Sequence, residues 1–363
     1  MIPLFAPLRQ NEAFLPTILD EWRRVLLSGE YVLGPVVQRF EKSLAKALHY
    51  KEAVGCASGT EALVLALRAF DLAPQDEVIT PAFSFVASTS AIAWAGLKPV
   101  FADVDIETAC LTVESVKAVL TPKTRAIIAV DLYGRQAPIR ELRRFCDQHA
   151  LFLIEDGAQS IGVANQGAHF YTLSFYPTKN IGAVGDAGAV LTDNIDLAER
   201  VREISRHGGL FRDKYTRVGT TGRIDTLQAA VLEQKLPKLS GWTQLRRTLA
   251  TWYFEHLQDL QNRGKLWVPP MPNDETSHVW ALYTIRIPSG RDALAQALRT
   301  KGVGTAVYYP RTIPNQPAFQ KNAKGQYPVS ERLSREVLSL PIYPELTGRE
   351  FETITTCLKG LTF

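Results

Sequence analysis

Cysteine, histidine and methionine are scarce in this chain, at 4, 6 and 2 residues out of 363. Cys56, Cys110, Cys146 and Cys357 fall at no metal-type pairing and build no disulfide framework, which excludes a zinc ribbon and a stapled secreted scaffold. The histidines likewise never reach ligand spacing, so no metal centre is expected. Long apolar runs are missing; the longest are strand-sized, and no membrane span is expected. The opening Met1-Ile2-Pro3-Leu4-Phe5-Ala6-Pro7 has no basic region ahead of an apolar block, so no secretory signal is read. With unpaired thiols, this makes a cytoplasmic location the expectation. An excess of one charge is also lacking. The 41 basic and 37 acidic residues leave only +4, spread along the chain, whereas nucleic acid binding calls for a dense basic patch.

What remains is an ordinary globular composition, 46% hydrophobic and 21% charged, in a chain long enough for two domains. From residue 52 onward, short apolar runs alternate with amphipathic stretches. Strands are expected at 52–57, 77–82, 98–104, 125–132, 151–156, 170–176 and 187–192, with helices at 60–72, 86–96, 113–120 and 138–149. Continuous Val/Ile/Leu runs suit strands buried on both faces, as in a mostly parallel sheet covered by helices. Two lead-in helices, 12–28 and 35–48, precede the sheet, with Pro35 in the first turn of the second. A long helix at 225–262 is followed by strand 279–288, helix 290–301, strand 303–309, a loop at 312–328 and a closing helix at 347–360. The expected division is a large α/β domain over 1–240 and a smaller C-terminal α+β domain over 241–363, with the long helix spanning the boundary.

Chemistry gathers at strand ends, where ligands of α/β sheets collect. Leu151 to Asp156 is an apolar strand delivering a carboxylate, and in Ser174-Phe175-Tyr176-Pro177-Thr178-Lys179 the end of an aromatic strand is followed by an amine ahead of glycines. Together they form the pair a pyridoxal phosphate site needs. The lysine condenses with the cofactor aldehyde, and the carboxylate keeps the pyridine nitrogen protonated so that the ring can take up electrons. Asp156 could instead cap the turn that follows it. Ser58-Gly59-Thr60 follows a strand and opens a helix; alone it reads as a cap, but beside Lys179 and Asp156 it reads as a phosphate site. Ser174 could supply a second hydroxyl, or be a strand serine bonded to backbone. Phe83 and Phe85 end another strand, and Phe85 is preferred as an aromatic to stack on the ring. Gln159 is within reach of the cofactor's 3′-oxygen. Arg223 reads equally well as a surface or ion-paired arginine.

These segments resemble the DegT/DnrJ/EryC1/StrS family of sugar aminotransferases. The motifs run in order: Ser-Gly-Glu-Tyr-Val-Leu-Gly-Pro (28–35), Ser-Gly-Thr-Glu-Ala-Leu (58–63), Pro-Ala-Phe-Ser-Phe-Val-Ala (81–87) and Asp-Leu-Tyr-Gly (131–134). Glu-Asp-Gly-Ala-Gln-Ser (155–160), Ser-Phe-Tyr-Pro-Thr-Lys (174–179), Gly-Asp-Ala-Gly-Ala (185–189), Arg-Ile-Asp-Thr-Leu-Gln-Ala-Ala (223–230) and Leu-Pro-Ile-Tyr-Pro (340–344) complete the set. The resemblance implies a fold type I PLP aminotransferase: a seven-stranded large domain, a small C-terminal domain, and a homodimer that shares its active sites. It implies pyridoxal 5′-phosphate as cofactor, passing through pyridoxamine 5′-phosphate, and amino transfer, commonly from glutamate, to a dTDP- or UDP-linked keto sugar. By motif match Gly59, Thr60 and Ser174 hold the phosphate, Phe85 stacks, Asp156 faces the ring nitrogen, Gln159 lies near the 3′-oxygen and Lys179 carries the cofactor. Tyr309 and Arg223 are the implied substrate contacts. Two positions depart from the pattern. Thr221 stands where the family usually has the asparagine that reaches the neighbouring subunit's phosphate, and Pro314 stands where many members have a histidine. An aminotransferase acting on a cyclitol or other small keto compound is the alternative, as is a PLP-binding regulator without catalysis.

Overall fold

The computed structural model describes residues 1–211 and 213–360. Seven strands form one sheet: β1 Glu52–Cys56, β2 Glu77–Pro81, β3 Lys98–Ala102, β4 Thr124–Val130, β5 Phe152–Asp156, β6 Phe170–Ser174 and β7 Gly188–Thr192. Their order is β1-β7-β6-β5-β4-β2-β3. Only β7 runs against its neighbours β1 and β6, while the other paired strands are parallel. Six strands therefore end at one edge, and β7 begins there. Register then dictates proximity. Asp156 pairs with Val130 and Thr172, and Gly188 pairs with both Ser174 and Cys56. The strand interiors are apolar on both faces because helices cover both. Helix Gly59–Ala69 is buried from Ala62 to Leu67, and its alanines let it lie close to the sheet.

A second, two-stranded antiparallel sheet joins β8 Tyr283–Arg286 to β9 Val337–Leu340. Its core gathers Tyr253, Trp280, Tyr283, Leu338 and Ile354, together with Ile2 from the chain's start. Ile2 bridges to Val303, so the first residues pack with the C-terminal unit although the lead-in helices pack with the large sheet. The two units are tied by Asp103. Its carboxylate accepts the backbone N–H groups of Val329 and Ser330, 226 and 227 positions away in sequence, and so caps the first turn of helix Pro328–Glu336.

Several elements differ from expectation, each for a local reason. The helix expected at 225–262 is two helices, Thr226–Lys235 and Leu239–Asn262, separated by a 3-10 turn at Leu236–Lys238. Pro237 cannot donate to the preceding turn and interrupts the ladder. The lead-in helix expected at 12–28 spans Leu15–Ser28, and a further short helix, Pro7–Glu12, precedes it. Residues 303–309 form only isolated bridges, Val303 to Ile2 and Ala306 to Ser339. Helices Ile195–Ser205 and Pro328–Glu336 and strand β9 were not expected at all. Among the described residues no helix is long and apolar enough to cross a membrane.

Candidate active site

Ser58 opens helix Gly59–Ala69 in extended backbone, and its hydroxyl accepts the Glu61 N–H at 3.0 Å. The first amides of this helix have no intrahelical acceptor, and the helix dipole adds partial positive charge there. Space at this point is tight. A Cβ on Gly59 would stand 2.6 Å from Ser174 Cβ, and one on Gly188 would stand 2.4 Å from the Ser58 carbonyl oxygen. Glycine is needed at both positions because β1, β6 and β7 converge, bringing the Ser174 hydroxyl beside the helix terminus.

Asp156, at the end of β5, is buried. Its Oδ2 accepts the Ser88 hydroxyl at 2.8 Å, and its Oδ1 accepts the Ala158 N–H at 3.2 Å. Burial pushes its pKa up, while these two donors and the charge of Lys179 pull it back. Lys179 is the mirror case. Burial lowers its pKa, and the Asp156 carboxylate opposes the drop. Gln159 is oriented by its neighbours: its Oε1 accepts the Tyr133 N–H at 2.7 Å, which leaves Nε2 to donate toward the Tyr309 hydroxyl at 3.4 Å. Phe85 is 54% exposed and lies 5.9 Å from the Tyr309 ring, whereas Phe83 is fully buried in the core.

These side chains surround a cavity of about 430 Å³. Gly59, Thr60 and Ser174 line it at the helix end, with Phe85, Asp156, Gln159, Lys179 and Tyr309 around the rest. Thr221 and Arg223 do not line it. Thr221 faces His207 across 3.1 Å, and Arg223 forms a backbone bridge to Cys56. The contents fit pyridoxal phosphate: orphan amides and hydroxyls for a phosphate, an exposed aromatic face for a ring, a buried carboxylate for a ring nitrogen and an amine for an aldehyde.

The DegT/DnrJ/EryC1/StrS aminotransferase family model matches residues 15–359. The chain belongs to that family. It is 37% identical to a UDP-N-acetyl-3-dehydro-alpha-D-glucosamine 3-aminotransferase of Acidithiobacillus ferrooxidans, over 98% of this chain and 95% of the relative. It is 39% identical to a protein of Geobacillus stearothermophilus named a pleiotropic regulatory protein, over 95% and 94% of the two chains. Among solved structures, Streptomyces venezuelae DesV in complex with a ketimine intermediate superposes with a TM-score of 0.93 at 35% identity, covering 99% and 97% of the two chains. Bacillus subtilis NtdA with bound pyridoxamine phosphate gives 0.94 at 33% identity, over 99% and 84%. The fold is therefore that of the PLP-dependent aminotransferases, and this member of the family is an aminotransferase.

The structure adds residues that sequence reasoning missed. Ser88 had no signal beyond its place in the first turn after Phe85. Phe5, Tyr176 and Tyr308 add aromatic wall, with Phe5 and Tyr308 centroids 6.4 Å apart. Behind the site lies a buried acid pair, Asp131 and Glu155. Asp131 accepts Ala137 N–H at 2.8 Å and Ser160 O–H at 2.6 Å, and Glu155 accepts Gln136 at 2.7 Å. Among the described residues no cation pairs with either; burial raises both pKa values, with the Glu155 charge adding to the rise at Asp131, while hydrogen bonds from Gln136 and Asp131 hold that of Glu155 to about 7. A carboxyl whose folded pKa lies above its unfolded one contributes stability that is full below the unfolded value and lost as pH rises through the folded one. Glu155→Gln keeps the shape without the charge. It is expected to gain on the wild type by roughly 1–3 kcal/mol between pH 5 and pH 8, read from paired urea melts. A difference independent of pH would exclude a shared proton.

Proposed function

We propose that this chain transfers the amino group of glutamate to C3 of a nucleotide-linked 3-oxo sugar, carried by UDP or dTDP, in amino-sugar biosynthesis, with pyridoxal phosphate as cofactor. The observation that carries the reading is the convergence of Lys179 and Asp156 on one cavity that also holds a helix N-terminus and an exposed aromatic. The position of amination rests on the relatives. Besides the enzyme of Acidithiobacillus, a UDP-2-acetamido-2-deoxy-3-oxo-D-glucuronate aminotransferase of Pseudomonas aeruginosa (36% identical) and a dTDP-3-amino-3,4,6-trideoxy-alpha-D-glucose transaminase of Streptomyces venezuelae (38%) are named for position 3.

Bound here, the cofactor supplies an aldehyde that takes up the donor's nitrogen and a ring that accepts the electron pair released at the donor's α-carbon. Lys179 holds the aldehyde. Its burial lowers its pKa and so favours the free amine, which would carry the proton from the donor's α-carbon. Asp156 accepts a hydrogen bond from the protonated ring nitrogen and is held in place for it by Ser88 and Ala158. Gln159 presents Nε2 to the 3′-oxygen. Gly59, Thr60 and Ser174 hold the phosphate, and Phe85 covers the ring. Glutamate and the keto sugar would thus exchange amine for carbonyl oxygen, giving 2-oxoglutarate and the amino sugar.

A second copy of the chain completes the site. Support comes from Thr221 and Arg223, which lie off their own cavity, and from helix Leu15–Ser28, which leaves Leu15, Leu19, Leu26 and Leu27 exposed. Thr221 then reaches the neighbour's phosphate, and Arg223 and Tyr309 meet the substrate. The four free cysteines suit the reducing cytoplasm.

A phosphorylated sugar is the second reading. It is favoured by a Bacillus subtilis relative named 3-oxo-glucose-6-phosphate:glutamate aminotransferase, 35% identical over 93% of this chain and 78% of its own. The test supplies holoenzyme and glutamate with a UDP- or dTDP-linked 3-oxo sugar, or with 3-oxo-glucose 6-phosphate, and follows 2-oxoglutarate and the product's mass. Turnover of a nucleotide sugar is expected. Turnover of the sugar phosphate alone transfers the assignment to the second reading, and no 2-oxoglutarate with any acceptor overturns both.

A further inference from the structure

Lys235 ends helix Thr226–Lys235 and is 1% exposed, which is unusual for a lysine. An ammonium removed from water is costly unless each of its three donors finds an acceptor. Here all three do. Nζ donates to the Gly182 carbonyl at 2.5 Å, to Asn11 Oδ1 at 2.5 Å and to Gln10 Oε1 at 3.3 Å. None of these is a carboxylate, and the negative charge that acts on it is Glu345. Burial accordingly lowers its pKa to about 8.

The acceptors belong to the segments that hold Lys179. Gly182 follows it by three residues in a loop that doubles back closely, since a Cβ there would stand 2.4 Å from the Pro177 carbonyl oxygen. Gln10 uses its other end, Nε2, to donate to the Asn180 carbonyl at 3.2 Å. The Asn180 side chain in turn donates to the Val279 carbonyl at 3.2 Å, just ahead of Ala281 and Leu282 in the cavity wall. Gln10 and Asn180 are both buried. One chain of bonds thus runs from Lys235 through Gln10 and Asn180 to the 279 segment, and a second runs directly from Lys235 to Gly182. Between them they fix the backbone on the C-terminal side of Lys179, while the Lys179 N–H is closed onto the Tyr176 carbonyl at 2.8 Å.

We propose that Lys235, through Gln10 and Gly182, is a positioning residue that sets where the Lys179 amine stands in the cavity. This rests on Lys179 being the cofactor lysine. Lys235 touches neither cofactor nor substrate; it acts by denying the 179–183 loop other conformations. A loop released from this clamp would let the Lys179 amine move toward water and away from its place opposite the Asp156 charge.

The test compares wild type, Lys235→Met, Gln10→Leu and Lys179→Ala as full chains. Two readouts are taken: steady-state kinetics of the holoenzyme with glutamate, and the pH dependence with which Lys179 of the cofactor-free protein undergoes reductive methylation, measured by peptide mass spectrometry. Lys235→Met is expected to lower kcat by at least about tenfold, with the KM for glutamate within about threefold, because small displacements of a reacting group are costly. It is also expected to move the methylation midpoint of Lys179 upward by about one pH unit as the amine regains water. Gln10→Leu cuts the same chain while leaving the Lys235 ammonium its bonds to Asn11 and Gly182, and is expected to shift both readouts in the same sense; it decides the matter should Lys235→Met not fold. An unchanged midpoint and a kcat within about twofold of wild type, accompanied only by a lower melting temperature, would reduce Lys235 to a structural role and overturn the proposal. Failure of the parent reading looks different, because Lys179→Ala would then remain active.

Discussion

Alanine in place of Lys179 is expected to cut kcat by at least about a thousandfold while leaving the protein folded. The side chain lines the cavity and makes no hydrogen bond among the described residues. The bonds that close its loop are made by the Lys179 N–H and by Asn180 and Gly182, and alanine keeps all of them. Melting temperature should therefore stay within a few degrees, and a desolvated amine with a depressed pKa is removed at no cost in packing. On the proposed reading, what is lost is chemical: the covalent hold on the cofactor and the base that moves the donor's proton. Two further readouts separate this from general damage. Borohydride treatment should leave the wild-type Lys179 peptide heavier by the reduced cofactor and leave the variant unlabelled. Added methylamine should restore part of the activity by supplying a free amine to the same space. A variant that turns over near the wild-type rate would remove Lys179 from the mechanism.

Much of this architecture was legible from local pattern. All seven strands of the large sheet stand within a few residues of the apolar runs that announced them, because a strand buried on both faces must be apolar throughout. Strand direction was not legible in the same way. Gly188–Thr192 reads like its neighbours, yet it runs antiparallel, and nothing in an apolar run encodes direction. The second unit was read less well, since its elements are held by distant partners. Val303 finds its bridge in Ile2, and helix Pro328–Glu336 takes its cap from Asp103, so neither segment carries its own signal. The same limit applies around the cavity. Asp156 ends its strand and Lys179 follows one, both with recognisable chemistry, but Ser88 and the Lys235–Gln10–Asn180 chain join positions 68 to 225 residues apart. Only the folded chain brings them together.

Asparagine at position 156 isolates charge from shape and is expected to lower kcat by about 10²–10³-fold, the range seen when one fixed electrostatic partner of a reacting centre is lost. The substitution spares the local bonds. Oδ1 can still accept the Ala158 N–H, and the Ser88 hydroxyl, which now donates to Oδ2, can rotate to accept from the new amide nitrogen. Stability should change little or rise slightly, because a buried carboxylate whose pKa is raised by desolvation gives way to a neutral group. The pH profile gives an independent sign. The Asp156 charge holds the Lys179 pKa up against burial, so its removal lets that pKa fall further below the ordinary lysine value. The limb of the rate profile that reports the Lys179 amine should accordingly move to lower pH in Asp156→Asn. A limb that stays in place would mean that the two groups do not sense each other. A kcat near wild type would mean that no positive charge develops opposite Asp156, and the reading of that carboxylate as the partner of a protonated ring nitrogen would fall with it.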